Sequence, residues 1–377
     1  MEIATMKILM TNYMETTYPG GISKVIKETC EGLSKNGHDV MVLQPNPYNL
    51  PPEESYEGFN IIRVKPVLKE VYGFNVNAYL YIKRILKNFP ADVIHIHGYQ
   101  TLFSLLVSKA IKSYDKDIPL IFSPHTDIYR TTLAGKYFWP IYNYFGKSNF
   151  SDSDYIISPS HFEAQFIAKN YQIDEDNISI IPHGVNLIDP KKIVQKNGKC
   201  NLLYSGHLVE RKGVHHILNS LNSLVNELNF QKARLTIVGD GPEKSKLIKQ
   251  CKDLKLDDYV IWKSFLTYEE LINEIKNSDM FLLLSNSEAY GIIVAEVLAL
   301  GTPCIVTKAT ALEEFLNEPG CFGVDYPPDP ESVANLIIEL YQNKIDVGPF
   351  SEKIRTWDKV ALDYENLYLN IIKSYSK

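Results

Sequence analysis

The chain has 377 residues, more than one hydrophobic core usually serves, so its length predicts two domains. A composition of 45% apolar and 22% charged residues is ordinary for a globular protein. The formal net charge of −6 argues against broad nucleic-acid binding. No apolar run approaches the ~20 residues that span a bilayer, so any membrane contact is expected to be peripheral.

Cysteine usage and the N-terminus indicate the compartment. The five cysteines are scattered and form no CxxC pair, which favours reduced thiols inside the cell. The sequence begins without the pattern of a signal peptide, and residues 7–10 have the pattern of a first strand. These features predict a cytoplasmic protein.

The first half of the chain alternates short apolar runs with helical patterns. Strands are predicted at residues 7–10, 39–43, 61–64, 93–96, 120–122, 155–157 and 178–181. Helices are predicted at residues 22–36, 76–88, 102–113, 136–145 and 161–169. This alternation predicts a parallel, doubly wound sheet, and such sheets bind ligands at the carboxyl ends of their strands.

Gly20 and Gly21 follow the first predicted strand and immediately precede the first predicted helix. Paired glycines let the backbone approach a ligand closely, and a helix start offers unpaired N–H groups at the positive end of the helix dipole. A phosphate is therefore a chemically reasonable ligand here. A flexible connection gives the same pattern, and a glycine pair alone does not separate the two.

Three histidines lie on or just after predicted strands of the first half. His95 and His97 alternate along one strand and are expected to share a face, while His125 follows the next strand in the segment SPHTD. A histidine at a strand's carboxyl end can donate a hydrogen bond to a ligand, although a lone histidine is more often a satisfied polar group. No carboxylate or cysteine stands at metal-ligand spacing, so no metal site is assigned.

Residues 129–150 combine eight aromatic residues with Arg130, Lys136 and Lys147. Mixed aromatic and basic side chains suit a membrane interface or a lipid-linked acceptor. A hydrophobic core is the more common use of such aromatic residues. The sequence does not decide between the two.

Residues 189–199 are polar and lysine-rich, and we interpret them as an interdomain linker. Strands are then predicted at residues 201–205, 234–238, 259–262, 280–284 and 304–306. Helices are predicted at residues 214–228, 242–254, 268–276, 291–300 and 331–342, with a last apolar helical stripe at 357–374. The predicted organisation is therefore an α/β domain at 1–188, a second at 200–356, and a C-terminal helix at 357–377.

Arg211 and Lys212 follow the first strand of the second domain and precede a helix. Two cations there suit a diphosphate, because arginine offers forked donors and lysine a point charge, although solvated turns also contain such pairs. The glycines at 239–241 also follow a strand, but Lys244 stands where a dinucleotide-binding fingerprint has its third glycine. We interpret 239–241 as a structural turn and not as a NAD site.

The segment SEAYGIIVAEVLALGT, residues 287–302, places Glu288 and Glu296 eight positions apart around the start of an apolar helix. Eight helical positions span ~12 Å, a plausible distance between the ends of a sugar diphosphate. Apolar neighbours predict that Glu296 is partly buried, where a bound hydroxyl is a suitable partner. A solvated glutamate at the edge of an amphipathic helix fits the spacing equally well.

These motifs, in this order along two doubly wound halves, resemble the retaining nucleotide-sugar glycosyltransferases of family four. The most specific element is the E-x7-E pattern from Glu288 to Glu296. It is supported by Gly20 and Gly21, SPHTD around His125, PHGV at 182–185, and GHLVERKG at 206–213. The resemblance covers nearly the whole chain and implies the GT-B fold: two Rossmann-like domains, the first for the acceptor and the second for the nucleotide sugar, with a cleft between them and a last helix that returns to the first domain.

The resemblance also implies roles for individual residues. Glu296 would bind the ribose hydroxyls, while Glu288 and His125 would be the catalytic residues beside the donor sugar. The donor diphosphate would contact Gly20, Gly21, Arg211 and Lys212. The sugar and nucleotide would further contact Gly206, Phe265, Tyr290, Gly291 and Ile292. His207 stands where many relatives carry arginine, so one phosphate contact is expected to be weaker or to be supplied by Arg211.

The implied activity is transfer of a sugar, with retention of configuration, from a nucleoside-diphosphate sugar to a glycan, lipid-linked or other hydroxyl acceptor. Such enzymes usually need no metal, so neither a cofactor nor a metal is expected, and nucleic acid is not an expected partner. The expected location is the cytoplasm, with a peripheral contact at the cytoplasmic face of the membrane. Two alternatives remain open: a nucleotide-sugar epimerase or phosphorylase of the same fold, and a non-catalytic module that binds sugar nucleotides or a membrane surface.

Overall fold

The computed structural model describes residues 5–18, 20–46, 48–65, 78–99, 101–126, 139–186, 189, 198–343 and 345–375. These residues form two compact units. Unit 1 contains the described parts of 1–126, 139–183 and 357–375, and unit 2 contains the described parts of 184–356.

Unit 1 is built on a sheet that is parallel except at one edge. Its described strands are β1 (Lys7–Thr11), β2 (Asp39–Pro45), β3 (Glu53–Tyr56), β4 (Phe59–Val64), β5 (Val93–His97), β6 (Leu120–Ser123), β7 (Tyr155–Ser158) and β8 (Ile178–Ile180). Their order is β3-β4-β2-β1-β5-β6-β7-β8, and only β3 runs antiparallel to its neighbour. The helices between these strands are α1 (Gly21–Lys35), α2 (Ala78–Asn88), α3 (Leu102–Tyr114), α4 (Trp139–Asp152) and α5 (His161–Tyr171).

Unit 2 repeats this plan with a fully parallel sheet among its described strands. They are β9 (Cys200–Ser205), β10 (Ala233–Val238), β11 (Val260–Lys263), β12 (Met280–Leu283), β13 (Cys304–Thr307) and β14 (Cys321–Val324), in the order β11-β10-β9-β12-β13-β14. The helices are α6 (Val214–Asn222), α7 (Lys244–Asp253), α8 (Tyr268–Lys276), α9 (Ile292–Ala299) and α10 (Pro330–Gln342). The predicted pair of doubly wound α/β domains is confirmed.

The last helix, α11 (Trp357–Tyr375), belongs to unit 1 although it follows unit 2 in the chain. It packs against α1 so closely that a Cβ on Gly32 would lie 2.4 Å from the Cβ of Ala361. The Asn36 amide donates a hydrogen bond of 2.6 Å to Glu365 at the same contact. Glycine in α1 therefore allows the two helix backbones to meet.

Most predicted elements match the structure within two or three residues, because buried parallel strands read as apolar runs. Strands β3 and β14 were missed: both lie at sheet edges and are short. The hairpin from β3 to β4 turns through Glu57 and Gly58, whose φ angles of 46° and 94° match a tight two-residue turn. The predicted end of the 136–145 helix was wrong, since α4 continues through Gly146, where a Cβ would lie 2.7 Å from Tyr99.

The chain enters unit 2 ahead of the predicted linker. Val185 bridges to Thr356, and its N–H donates to the Arg355 carbonyl at 2.8 Å. Further on, Asp189 accepts a hydrogen bond of 2.8 Å from Lys276. Residues 190–197 of the predicted linker lie outside the described residues. Among the helices that the structure describes, none combines the length and apolar character that a membrane crossing requires.

Candidate functional site

The loop between β12 and α9 lies against the turn that follows β9. Gly213 in that turn has a φ of 71°, and a Cβ there would lie 1.9 Å from the carbonyl oxygen of Leu284, so only glycine permits this approach. The Ser285 hydroxyl and the Asn286 N–H both donate to the Arg211 carbonyl at 2.9 Å. These backbone contacts bring together two predicted motifs that are distant in sequence.

Lys212 and Glu288 form an ion pair at this junction. The Lys212 Nζ is 2.6 Å from the Glu288 Oε1, and the two side chains are only 17% and 9% exposed. Arg211 lies alongside, and its Nη1 donates to the Ser287 carbonyl at 3.2 Å. Two cations and a carboxylate therefore lie together at the carboxyl ends of β9 and β12, the edge where such sheets bind ligands.

The two glutamates of the E-x7-E pattern lie on different kinds of structure. Helix α9 begins at Ile292, so Glu288 precedes it in the loop and its N–H donates to the Thr310 hydroxyl at 3.0 Å. Only Glu296 is helical, and a helical rise therefore does not apply to the whole interval between them. The predicted burial of Glu296 is confirmed, since the residue is 9% exposed.

Gly291 and Tyr290 shape the start of α9. Gly291 has a φ of 101°, and a Cβ there would lie 2.8 Å from the Leu312 side chain. Tyr290 is buried, and its hydroxyl donates to the Lys353 carbonyl at 2.9 Å. Burial raises the pKa of the Tyr290 phenol above its usual range. The Tyr290 side chain thus belongs to the packing of unit 2. The Val294 N–H donates to the Gly291 carbonyl at 2.9 Å, so the Ile292 and Ile293 N–H groups are the ones that precede the first bond of the helix.

Gly206 and the predicted structural turn at 239–241 lie against each other. The Gly206 N–H donates to the Val238 carbonyl at 3.0 Å. A Cβ on Gly239 would lie 2.0 Å from the Gly206 carbonyl oxygen, and one on Gly241 would lie 2.4 Å from that of Leu208. Close backbone contact therefore accounts for the glycines of this turn without a nucleotide.

Tyr204 is a further candidate that sequence analysis did not identify. It is fully buried, and its hydroxyl donates to the His207 carbonyl at 3.1 Å. Burial raises the pKa of the Tyr204 phenol; the Glu288 charge raises it further, while Arg211 opposes the shift. These neighbours place Tyr204 beside the ion pair. A tyrosine within an apolar strand carries no sequence signal that distinguishes it from the core.

Phe265 lies in the loop after β11, and it is 73% exposed. A flat, solvated ring can accept a planar ligand, but single exposed apolar residues are common on protein surfaces. The contact between Phe265 and the nucleotide therefore stays a prediction.

The glycine pair of unit 1 opens α1. Gly20 has an extended φ of 172°, and a Cβ on Gly21 would meet no heavy atom within 4 Å. Helix α1 has no side-chain cap at its N-terminus, so no hydroxyl or carboxylate of the cap residue occupies its first N–H groups. The Ser23 hydroxyl donates to the Glu15 carbonyl at 2.9 Å and fixes the helix start to the preceding loop.

His125 belongs to a row of histidines in unit 1. Its Nε2 is 2.9 Å from the Nδ1 of His97. The rings of His97 and His95 are 4.1 Å apart, which confirms that these two residues share a face. His95 in turn hydrogen-bonds with the Tyr368 hydroxyl at 2.7 Å and the Ser123 hydroxyl at 2.8 Å. The row thus connects α11 to the end of β6.

Burial keeps this row of imidazoles uncharged. It lowers the pKa of His125 to about 4, that of His95 to about 3, and that of His97 well below its usual value. A hydrogen bond between the two neutral rings engages Nε2 of His125 and leaves its Nδ1 for another partner. Within the described part of the chain, no group of three or more histidines, cysteines or carboxylates is arranged to hold a metal ion.

The predicted aromatic and basic cluster at 129–150 is only partly described, because residues 127–138 lie outside the described residues. In the remaining part, Tyr144 is 65% exposed. Phe150 is buried, and its ring packs 4.6 Å from that of Tyr171. At least one aromatic residue of this cluster is therefore core, and at least one faces solvent.

Two family profiles match consecutive halves of the chain. The one described as Glycosyltransferase Family 4 matches residues 19–188, and the one described as Glycosyl transferases group 1 matches residues 187–357. Together they include every candidate site residue considered above.

Similar proteins cover nearly the same length. An uncharacterized glycosyltransferase from Methanocaldococcus jannaschii is 27% identical over 96% of this chain and 98% of its own. Alpha-monoglucosyldiacylglycerol synthase from Streptococcus pneumoniae is 25% identical over 81% of this chain and 72% of its own. The solved structure of a sucrose-phosphate synthase from Thermosynechococcus elongatus superposes with a TM-score of 0.81 at 17% identity, over 97% of this chain and 99% of that one, which shows a shared fold.

Proposed function

This chain belongs to glycosyltransferase family 4 and has the GT-B fold, and on that premise we propose that it transfers a sugar from a nucleoside-diphosphate sugar to a hydroxyl acceptor with retention of configuration. The observation that carries the proposal is the Lys212–Glu288 ion pair, 2.6 Å long, at the carboxyl edge of the unit 2 sheet. A diphosphate requires cations, and a sugar requires oxygen atoms that accept from its hydroxyls. Both kinds of group meet at this edge.

The cations act on the leaving group. As the bond from the anomeric carbon to the phosphate breaks, negative charge grows on the nucleoside diphosphate. Arg211, Lys212 and the first N–H groups of α9 stabilise that charge where it develops. The backbone at Gly20 and Gly21 contributes further donors from the uncapped start of α1. Removing one such donor typically costs on the order of 10²–10³ in rate.

The carboxylates and His125 orient the donor. Glu288 accepts from sugar hydroxyls once Lys212 turns to the phosphate, and Glu296 accepts from the ribose hydroxyls. His125 is neutral and donates through the ring nitrogen that does not face His97. The remaining contacts assigned to the donor are the backbone at Gly206, Tyr290, Gly291 and Ile292, and the base-receiving loop around Phe265.

The anomeric configuration is retained when the acceptor attacks the anomeric carbon from the same face from which the leaving group departs. The transition state has oxocarbenium character, and the acceptor hydroxyl transfers its proton to the leaving phosphate oxygen. The reaction as proposed uses no metal and no covalent carboxylate intermediate, because fixed cations and a helix N-terminus meet the developing charge.

The acceptor is proposed to be a glycan or a lipid-linked molecule. The name of the Streptococcus pneumoniae relative states that it makes a glycosylated diacylglycerol, which supports an acceptor at a membrane surface. With such an acceptor, the proposed location is peripheral, at the cytoplasmic face of the membrane.

A thermal-shift panel of UDP, GDP and ADP with their sugar conjugates tests the donor. Ligand at 100 times its dissociation constant stabilises by ~2.7 kcal/mol, which is readily measured. Lys212→Met should lose this stabilisation, and Lys246→Met, whose side chain is 71% exposed in the same unit, should retain it. A panel that leaves the wild-type melting temperature unchanged contradicts the proposal.

Product analysis then separates the alternatives. Donor with a carbohydrate or lipid acceptor should yield a glycoside of unchanged anomeric configuration, read by NMR. Epimerised donor without acceptor indicates an epimerase, and a sugar phosphate formed with inorganic phosphate indicates a phosphorylase. Binding without turnover of any kind indicates a non-catalytic module.

A further inference from the structure

Two tyrosines of unit 1 stack face to face at the protein surface. The ring centroids of Tyr18 and Tyr48 are 4.2 Å apart with an interplanar angle of 9°. The two residues remain 46% and 45% exposed. An ordered aromatic pair of this kind offers a flat apolar surface bordered by two hydroxyl groups.

Their position is that of a ligand-binding edge. Tyr18 lies in the loop after β1, and Tyr48 lies in the loop after β2. These strands are adjacent and parallel, so both loops leave the sheet at its carboxyl edge. Tyr18 also precedes Gly20 closely in the chain, and the proposed function assigns Gly20 to the donor diphosphate. On that assignment, a molecule resting on Tyr18 would lie close to the phosphates that Gly20 contacts.

A buried arginine on β4 holds the two loops together. The Arg63 Nε donates to the Glu15 carboxylate at 2.9 Å, ahead of Tyr18 in the first loop. Its Nη1 donates to the Pro51 carbonyl at 3.0 Å, beyond Tyr48 in the second loop. Arg63 and Glu15 are each 3% exposed, so this connection is shielded from water and costly to break. The stack is therefore preorganised and not an incidental surface contact.

The charge of the two loops selects among ligands. The loop segments 12–20 and 46–52 contain no lysine or arginine, and their one glutamate, Glu15, is paired with the buried Arg63. Such loops offer no lysine or arginine to an anionic lipid surface or a phosphate, and anionic membranes attract basic segments. A neutral, hydroxyl-rich ligand suits them, because aromatic rings cover the apolar face of a sugar ring and loop carbonyls accept from its hydroxyls.

We propose that Tyr18 and Tyr48 form a stacking platform for a neutral pyranose ring of a glycan acceptor. The inference rests on the proposed function, since it identifies the acceptor class of the same enzyme. The platform binds the acceptor without contacting the donor's nucleotide. The tyrosine rings contribute more to the affinity for the sugar than the tyrosine hydroxyls do.

Saturation-transfer NMR tests this platform with methyl glycosides of glucose, galactose, mannose and N-acetylglucosamine as probes. The full chain is first saturated with whichever of UDP, GDP or ADP stabilises the wild type. We expect binding of at least one probe, weakened about tenfold in Tyr18→Ala and in Tyr48→Ala. Tyr18→Phe and Tyr48→Phe should retain binding. Tyr114→Ala, at an equally exposed tyrosine (45%) at the end of α3, is the matched control and should bind as the wild type.

The outcomes distinguish this inference from the proposed function. Nucleoside-diphosphate binding should be unchanged in both alanine variants. If the wild type binds no nucleoside diphosphate, the proposed function itself fails. If the nucleotide binds but no methyl glycoside does, or if both alanine variants bind the glycosides normally, the platform alone is overturned. Two other results overturn the platform. One is a loss of nucleotide affinity in the alanine variants. The other is that these variants lose binding to anionic phosphatidylglycerol vesicles but keep binding to the methyl glycosides.

Discussion

Replacement of Lys212 by methionine removes the cation of the Lys212–Glu288 pair and leaves a carboxylate that is only 9% exposed. Breaking a fully buried pair costs about 3–5 kcal/mol, whereas exposed pairs contribute about 1 kcal/mol or less. Since Lys212 itself is 17% exposed, we expect the free energy of unfolding to fall by about 2 kcal/mol. The proposed diphosphate contact is lost as well, so kcat/KM should fall by about 10²–10³.

A double-mutant cycle separates these two effects. Glu288→Gln removes the charge that Lys212→Met leaves unpaired, so the double variant should regain stability relative to Lys212→Met. It should not regain activity, because both proposed ligand contacts are absent. Glu288→Gln alone should keep its affinity for the nucleoside diphosphate while losing sugar transfer.

Urea unfolding of the four proteins and thermal shift with the nucleoside diphosphate provide the readouts. A coupling free energy below about 0.5 kcal/mol would show that the ion pair does not contribute to stability. Wild-type nucleotide affinity in a folded Lys212→Met variant would refute the diphosphate assignment.

Three further outcomes can be measured by unfolding. Burial lowers the pKa of His125 to about 4, so the unfolded chain takes up its proton first and stability falls as pH drops from 6.5 towards 4. Between about pH 7 and pH 5, His125→Gln should lose about 2 kcal/mol less stability than the wild type, and an equal loss in both proteins would contradict the lowered pKa. Gly213→Ala should destabilise by clearly more than Gly37→Ala, because both glycines have a positive φ but only Gly213 meets a backbone carbonyl; equal losses would mean that φ alone matters. Gly32→Val should cost about 1–3 kcal/mol by forcing α11 away from α1, and an unchanged unfolding midpoint would contradict that packing.

The alternation of apolar runs and helical patterns predicted both sheets because a strand covered on both faces is apolar along its length. Ile8, Leu9 and Met10 on β1 are fully buried, and periodicity detects such a strand. Strand β3 is different, since its residues Glu53–Tyr56 alternate between exposed and partly buried at a sheet edge. Nothing apolar marks it, and the only local signal is the turn glycine that follows.

The candidate site was predictable residue by residue but not as an arrangement. Cations before a helix and paired glutamates indicated the chemistry, and the family resemblance placed them in one site. The 2.6 Å ion pair between Lys212 and Glu288 was not predictable, because it depends on the approach that Gly213 permits between two distant loops. The role of Arg63 was also not predicted. An arginine in a strand pattern gives no indication that it is buried and contacts two loops.

The membership of α11 in unit 1 constrains the order in which the nascent protein can mature. Gly32 in α1 meets Ala361, and His95 in the sheet hydrogen-bonds with Tyr368, so unit 1 relies on side chains that are translated after the whole of unit 2. Domains generally fold as units during synthesis, with the N-terminal one first. Residues 357–375 must therefore emerge from the ribosome before they can cover α1, so one face of α1 stays uncovered while the residues of unit 2 are translated.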